Sequence, residues 1–412
     1  MLIAAHGVGF PVWAQPSSPA VERVSVLVTE TAGIRRFFYP VHARVPFSAG
    51  QLSPTESARL RRDHDDHDDD AEVPSQISAE SHWPDGSVQW LSVHFNTSIG
   101  PGESQTYQVE YGSGIEVSGA RPRGLTLVEA GDGGLQVGSL RLSRRGEPLV
   151  ASVAYRDEAI GEGRNGFRAT GRGGEIYRLT ASPDLEILKD GPLYVELRYS
   201  GQLVSEAGAT VPVVVTVGMP NSKSWIKMQA TVDDPAARVR ELSLDLPFAL
   251  GPHPWVWDFG TERWTYGSLR GERETVELTN VVTVPAPSSS SSSAWEVRLQ
   301  TDGRDQLYES GQSVVGGWGH LQSGGEVVAF GMEGFGTQPG TYRVTLGGSG
   351  QTTFAFTPSR PTREHRLIVY NHYVSNPVQI GAATSPSSML NPLRVVCDRE
   401  RYVAAGLEPP TP

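Results

Sequence analysis

The chain has 412 residues, among them 46 Gly, 30 Pro and a single cysteine, Cys397, and it carries a formal net charge of -11. At roughly 100–200 residues per domain this length suggests two or three domains. One cysteine excludes an intramolecular disulfide or a multi-cysteine metal site. The lack of clustered Lys and Arg argues against a nucleic-acid partner, and without a run of about 18 apolar residues no membrane-spanning helix is expected.

Taken in chain order, residues 1–20 are apolar up to Val12-Trp-Ala14 and then rich in Pro and Ser. They read as a secretory signal without its basic n-region, and the expected location is secreted or periplasmic. From Val24-Ser-Val-Leu-Val-Thr29 onwards the hydrophobic pattern has period two, the mark of strands with one buried face. Tyr107-Gln-Val-Glu-Tyr111, Tyr194-Val-Glu-Leu-Arg-Tyr199, Trp295-Glu-Val-Arg-Leu-Gln300 and Thr341-Tyr-Arg-Val-Thr-Leu346 repeat it. Gly, Pro, Asn, Asp and Ser clusters separate these runs as turns. The fold class is therefore all-β, with very little helix.

Two helices have signals. Ser53-Pro-Thr-Glu56 is a capping box with Pro at the first helical position, continued by Ala58-Arg-Leu60. Residues 398–405, closed by Gly406, form the second candidate. Between residues 63 and 70, six of eight positions are Asp and two are His; outside this run the net charge is -5. His64, His67 and Asp68 are the metal-ligand candidates there, as carboxylates suit calcium and imidazoles suit zinc or nickel. The competing reading is a solvated acidic loop. No organic cofactor is implied, which leaves a divalent cation as the one cofactor candidate.

Residues 21–113 form a first block, 114–388 a large antiparallel unit and 389–412 a tail; the Ser-rich stretch 285–294 reads as a loop inside the large unit. Gly161-Glu-Gly-Arg-Asn-Gly166 matches the dinucleotide fingerprint by letters alone. Glycine-rich sequence comes after it where the pyrophosphate would need a helix N-terminus. The densest aromatic region is His253-Pro-Trp-Val-Trp-Asp-Phe259 with Trp264 and Tyr266. Alternation puts Trp255, Trp257 and Phe259 on one face and Val256 with Asp258 on the other. That aromatic face is either core or a surface for stacking sugar rings. Trp318-Gly-His320 and Tyr370-Asn-His-Tyr373 each place a histidine among aromatics. Such a histidine is either a general base or a hydrogen-bonded structural residue.

One ordered stretch carries more information. Arg44-Val-Pro-Phe-Ser-Ala-Gly-Gln-Leu52 is followed by Val73-Pro-Ser-Gln76 and His82-Trp-Pro-Asp-Gly-Ser-Val-Gln-Trp-Leu91. Val93-His-Phe95 and Gly100-Pro-Gly-Glu-Ser-Gln-Thr-Tyr107 close it. In that order these segments resemble the N-terminal RIFT-barrel domain of the YetA-like proteins, the group that includes exo-rhamnogalacturonan lyases. The Pro84-Asp-Gly-Ser87 stretch reads physically as a turn with Gly86 free to take positive φ and Trp83 and Trp90 packed beside it. The resemblance implies a small barrel followed by a large antiparallel β-sandwich. It departs from the group at the C-terminus, where the lyases continue into a helical toroid, and no catalytic motif of theirs maps onto this chain.

Its functional implication is an exported carbohydrate-active protein that acts on or binds an acidic, uronate-containing polysaccharide or oligosaccharide. A lyase would use β-elimination, with a base removing the proton next to a uronate carboxylate while a cation neutralises that carboxylate. The proton-transfer candidates are His253, His320, His372 and Tyr373, with Arg304 as the carboxylate partner. Trp255, Trp257, Asp258, Trp264 and Tyr266 are the sugar-binding candidates. The alternative is a non-catalytic glycan-binding or scaffold module that docks a separate helical protein, or a truncated piece of a longer lyase.

Overall fold

Strands run along almost the whole chain in the computed structural model, which describes residues 21–63, 72–116, 124–129, 134–138, 140–145, 147–153, 164–179, 183–223, 225–283, 292–313, 315–374 and 386–408. The fold is all-β, and the described helices are the short segments Pro386–Leu390 and Arg399–Ala404.

The first unit is a barrel of two sheets. Glu22–Thr29 pairs along its length with Ser104–Gly112, which pairs on its other side with Ser57–Arg62. In the second sheet Val88–Ile99 lies between Arg36–Pro46 and Ser75–His82. Alternate residues point inward, so Val24, Val26 and Val28 meet Val41, Ala43, Val45, Val93 and Phe95 in one buried cluster. The hairpin around Gly86 forms as the turn chemistry predicts. Trp83 N–H donates to the Ser87 carbonyl at 2.8 Å, and Gly86 takes φ 84.

One expectation is corrected here. The capping box at Ser53 does close, with Ser53 N–H donating to Glu56 Oε2 at 2.8 Å and Glu56 N–H to the Ser53 carbonyl at 3.0 Å. Beyond it the chain runs on as the strand Ser57–Arg62 instead of a helix. Its register on Ser104–Gly112 buries Leu60 completely and aims Arg59 at Glu110, a tertiary gain that outweighs the local helix signal. The C-terminal segment carries the helix expected at residues 398–405. Arg394–Cys397 adds a strand beside Glu22–Thr29, and the helix Arg399–Ala404 buries Tyr402 against the barrel.

Among the described residues the second unit contains seventeen hydrogen-bonded strands between Gly166 and Val374. Their registers resolve into two layers. The front layer runs from Asp184–Asp190 through Tyr194–Ser205, Thr210–Pro220, Trp225–Asp233 and Glu364–Val374. It continues through Glu326–Met332, Trp318–Ser323 and Trp255–Phe259 to Thr265–Leu269. The back layer includes Gly166–Gly171, Val239–Pro247, Gln351–Pro358, Gly340–Gly347, Thr275–Thr283 and Ser292–Thr301. Leu197, Met228, Phe330 and Trp257 of the front layer share one core with Leu244, Phe354, Val344 and Leu278 of the back.

The barrel docks on the outer face of the front layer. Trp225, Ala329, Ile368 and Tyr370 of the sandwich are buried in the barrel's own core cluster. Gln76 clamps the junction, donating to the Tyr194 carbonyl at 2.9 Å while its Oε1 accepts the N–H groups of Leu193 and Tyr194. One sheet face is thus half covered and half open.

Candidate functional site

Residues directly opposite in an antiparallel pair present their side chains to the same face. The registers therefore place Tyr266, Asp258, His320, Ala329, His372 and Trp225 in a single row across the outer face of the front layer. The barrel covers the Trp225 end, where Trp225 is 4% exposed. Tyr266, at the other end, is 68% exposed.

At the open end Asp258 and His320 form a pair. Asp258 Oδ1 lies 2.8 Å and Oδ2 3.0 Å from His320 Nδ1, and Oδ1 also accepts the His320 backbone N–H at 2.8 Å. An ionised carboxylate only accepts, so Nδ1 carries the proton and the working nitrogen is Nε2. No described residue hydrogen-bonds that Nε2. A carboxylate that fixes the tautomer and orientation of a histidine is the arrangement used for general acid–base work.

Aromatic surface surrounds the pair. The Trp318 indole stands edge-on to His320 with ring centroids 6.0 Å apart. It lies across Gly260, where a Cβ would collide with it. Trp264 is 60% exposed and holds φ 57, a left-handed conformation that residues other than glycine seldom adopt. The Tyr308 hydroxyl donates to the Tyr266 carbonyl at 2.8 Å and steadies that strand.

The other sequence candidates lie elsewhere. Trp255 and Trp257 are buried between the layers, and Trp255 Nε1 donates to the Gly251 carbonyl at 2.6 Å, so neither offers a face to sugar. His253 stacks on Trp255 at 4.1 Å, with Nδ1 at 3.3 Å from the Leu269 carbonyl and Nε2 at 3.1 Å from that of Gly348. Each ring nitrogen faces a backbone carbonyl and the one that carries the proton donates to it, which suits a structural pin. His372 is buried under the barrel, and burial pushes its pKa down to about 3. Tyr373 points to the opposite face, into the sandwich core, where its hydroxyl accepts from Asn371 Nδ2 at 3.2 Å and burial raises its pKa. Arg304 is exposed at the tight turn that opens Arg304–Gly311, four residues before Tyr308 or roughly 13 Å along the strand. The structure does not bring it to His320.

His64, His67 and Asp68 lie outside the described residues, as does most of the Ser-rich stretch. Among the described residues no group of three or more His, Cys, Asp and Glu could hold a metal ion, and no helix is long and apolar enough to cross a membrane. From Gly161-Glu-Gly-Arg-Asn-Gly166 the chain enters the strand Gly166–Gly171, in keeping with the rejection of the dinucleotide motif. Sequence reasoning named Asp258 and His320 for separate roles and missed their partnership. The only available signal was that both sit among aromatics in alternating segments.

These features define a two-unit all-β protein: a small barrel docked on a large antiparallel sandwich with an Asp–His pair on the sandwich's outer face. Residues 37–112 match the model of the PcRGLX-like N-terminal RIFT barrel domain. The stretch coincides with the resemblance read from residues 44–110 and supports kinship of this unit with the rhamnogalacturonan-lyase-like family. No curated protein matches the chain. Among solved structures, it is similar to a glycosyl hydrolase family 38 protein from Enterococcus faecalis, with a TM-score of 0.56 at 9% identity over 91% of this chain and 47% of that one. An alpha-mannosidase from Enterococcus faecalis V583 gives a TM-score of 0.51 at 9% identity, over 91% and 46% of the two chains. At such identity the likeness is one of fold, and the chain spans about half the length of both structures.

Proposed function

We propose that this is an exported carbohydrate-active protein that engages uronate-containing glycan on the open half of the front sheet, with His320 as the proton-transfer residue. The observation that carries this reading is the Asp258–His320 pair, set beside exposed Trp264 and Tyr266. In a β-elimination, His320 Nε2 takes the proton next to the uronate carboxylate. Asp258 stabilises the imidazolium that forms. Tyr266 and Trp264 hold the apolar face of a sugar ring. Arg263, exposed beside Trp264 on the same hairpin, is the cation this surface offers to the carboxylate in place of Arg304.

Purified protein incubated with rhamnogalacturonan and other uronate polysaccharides should develop the ultraviolet absorbance of an unsaturated uronate, and His320→Gln should slow its appearance by about 10²-fold or more. Glycan binding without absorbance would replace the lyase with a binding module. The scaffold alternative, which needs an apolar docking patch near residues 390–405, finds little support. Leu393, Tyr402 and Ala405 of that segment are buried, with Val403 the exposed large hydrophobic among them.

A further inference from the structure

The covered half of the same sheet face is not solid. Between barrel and sandwich lies a half-open cavity of about 220 Å³, to which the barrel contributes Tyr39, His42 and His94 and the sandwich Tyr194, Lys227 and Tyr370. None of these residues belongs to the Asp258–His320 surface. The cavity has the composition of a small-molecule site, aromatic walls with a few convergent polar groups at a junction of two units.

The walls are flat. His42 and His94 stack with centroids 4.2 Å apart and planes 4° from parallel, and His94 stacks in turn on Tyr194 at 4.5 Å and 9°. This pile of three rings crosses from barrel to sandwich. Two donors face the space beside it. The Tyr194 hydroxyl lies over Gly218, where a Cβ would collide with it, so the glycine makes room for that hydroxyl. No described residue hydrogen-bonds it. Lys227 sits directly opposite Gly218 in the ladder, and Tyr370 opposite Lys227, so all three share a row. The ammonium of Lys227 rests 5.4 Å from the Tyr370 ring centroid and pairs with Glu333 Oε2 at 3.7 Å, an ion pair beyond hydrogen-bond length that a ligand oxygen can join.

The volume selects the ligand's size. At about 220 Å³ it is a small cavity, on the scale of one six-membered ring with its substituents and below the roughly 300–1,000 Å³ of a drug-sized ligand site. Aromatic walls suit the C–H face of such a ring, and an ammonium with a phenol hydroxyl suits its oxygens. We infer that the barrel–sandwich junction is a saccharide subsite for a single sugar ring, held by Lys227 and Tyr194. The ring is either a free monosaccharide or the end of a chain that leaves through the open side. This rests on the carbohydrate reading above and adds a second site to it. A ligand there touches both units and therefore stabilises their docking.

The test is calorimetric titration of the full chain with galacturonate, rhamnose, galactose and an oligosaccharide of rhamnogalacturonan. Tyr194→Phe keeps the ring pile and removes only the hydroxyl; Lys227→Met removes the ammonium at a half-exposed position. Thermal melts confirm that each variant folds, and if Tyr194→Phe does not, Lys227→Met carries the test. The expected result is saturable binding weakened at least tenfold by both variants and unchanged by Val281→Ala, an exposed position on the back layer. Monosaccharide binding identifies a free sugar as ligand, and oligosaccharide binding alone identifies a chain end. Binding that responds to Tyr266→Ala and not to the junction variants overturns the junction site and leaves the carbohydrate reading standing. Absence of binding by any of these glycans to the wild type overturns both.

Discussion

His320 and His372 stand two strands apart in one row of one sheet face, each directly opposite Ala329, yet they have different chemistry. The side chain of His320 is 19% exposed and bonded to Asp258. His372 is 2% exposed, edge-on to Trp225 at 6.4 Å beneath the barrel. Burial, with the Lys223 charge nearby, holds His372 neutral down to a pKa of about 3. The barrel makes this difference, because it turns half of a polar sheet face into core and leaves the other half as surface. Histidine on a strand is thus a reactive group or a core residue according to what lies above it.

The strongest way to break this comparison is at the open end. His320→Gln should lower uronate turnover by about 10²- to 10⁴-fold, the usual contribution of a positioned acid–base residue. The thermal midpoint should fall far less than the activity, as Gln can keep a donor to Asp258 and loses chiefly the ring contact with Trp318. Asp258→Asn should cost a comparable factor, since the histidine then loses the charge that stabilises its imidazolium and the carboxylate that fixes its tautomer. Turnover within twofold of wild type in His320→Gln would remove the dyad from the mechanism.

At the covered end the expectation reverses. Trp225→Ala should destabilise by about 3–5 kcal/mol, the range for deleting a buried aromatic. It removes the ring that meets Tyr39 at 5.6 Å and His372 from the other side. Urea unfolding should show the loss, and separate transitions for barrel and sandwich would show that this contact couples them. A loss under 1 kcal/mol would mean that the junction is held mainly by the Gln76 clamp.

Acid sharpens the contrast further. Burial lowers His94 to about 2 and His372 to about 3 from 6.5. Depressed folded values mean that the unfolded chain takes up protons first. The stabilisation is complete above pH 6.5 and is lost progressively as pH falls from there towards about 3. Each histidine contributes at most about 1.4 kcal/mol per pH unit in that window. Urea midpoints at pH 7.5, 6.5 and 5.5 should be flat and then fall, and His94→Phe, which keeps a ring in the pile, should reduce the slope by about one proton. An unchanged slope in that variant would show that His94 is not buried neutral.

Local patterns were legible and long-range pairings were not. The alternation in Tyr194-Val-Glu-Leu-Arg-Tyr199 is a property of neighbouring residues, and it survives as the strand Tyr194–Ser205. The same alternation placed Trp255 and Trp257 together on one face, though it could not say that the face was core. Ser53-Pro-Thr-Glu56 misled because a capping box closes a turn as readily as it starts a helix, and the register of Ser57–Arg62 decided the outcome. Asp258 and His320 lie 62 residues apart, and their meeting depends on how two strands align. The stack of His42, His94 and Tyr194 depends on the docking of two sheets far apart in sequence, which leaves no trace in any local window.

The smallest expected effect separates surface from core most finely. Tyr266 is the exposed end of the row that Trp225 ends under the barrel, so the two aromatics should respond in opposite assays. Tyr266→Ala should leave the urea midpoint within about 0.5 kcal/mol of wild type, as surface substitutions usually do. Its glycan affinity should fall by about tenfold, or ~1.4 kcal/mol, the scale of a well-placed aromatic contact. Titration with a uronate oligosaccharide and a denaturation curve on the same preparation measure both. If stability falls and affinity does not, Tyr266 is a packing residue of the hairpin and Trp264 is left as the stacking surface. If affinity falls alone, the open half of the sheet binds the glycan beside the histidine that acts on it.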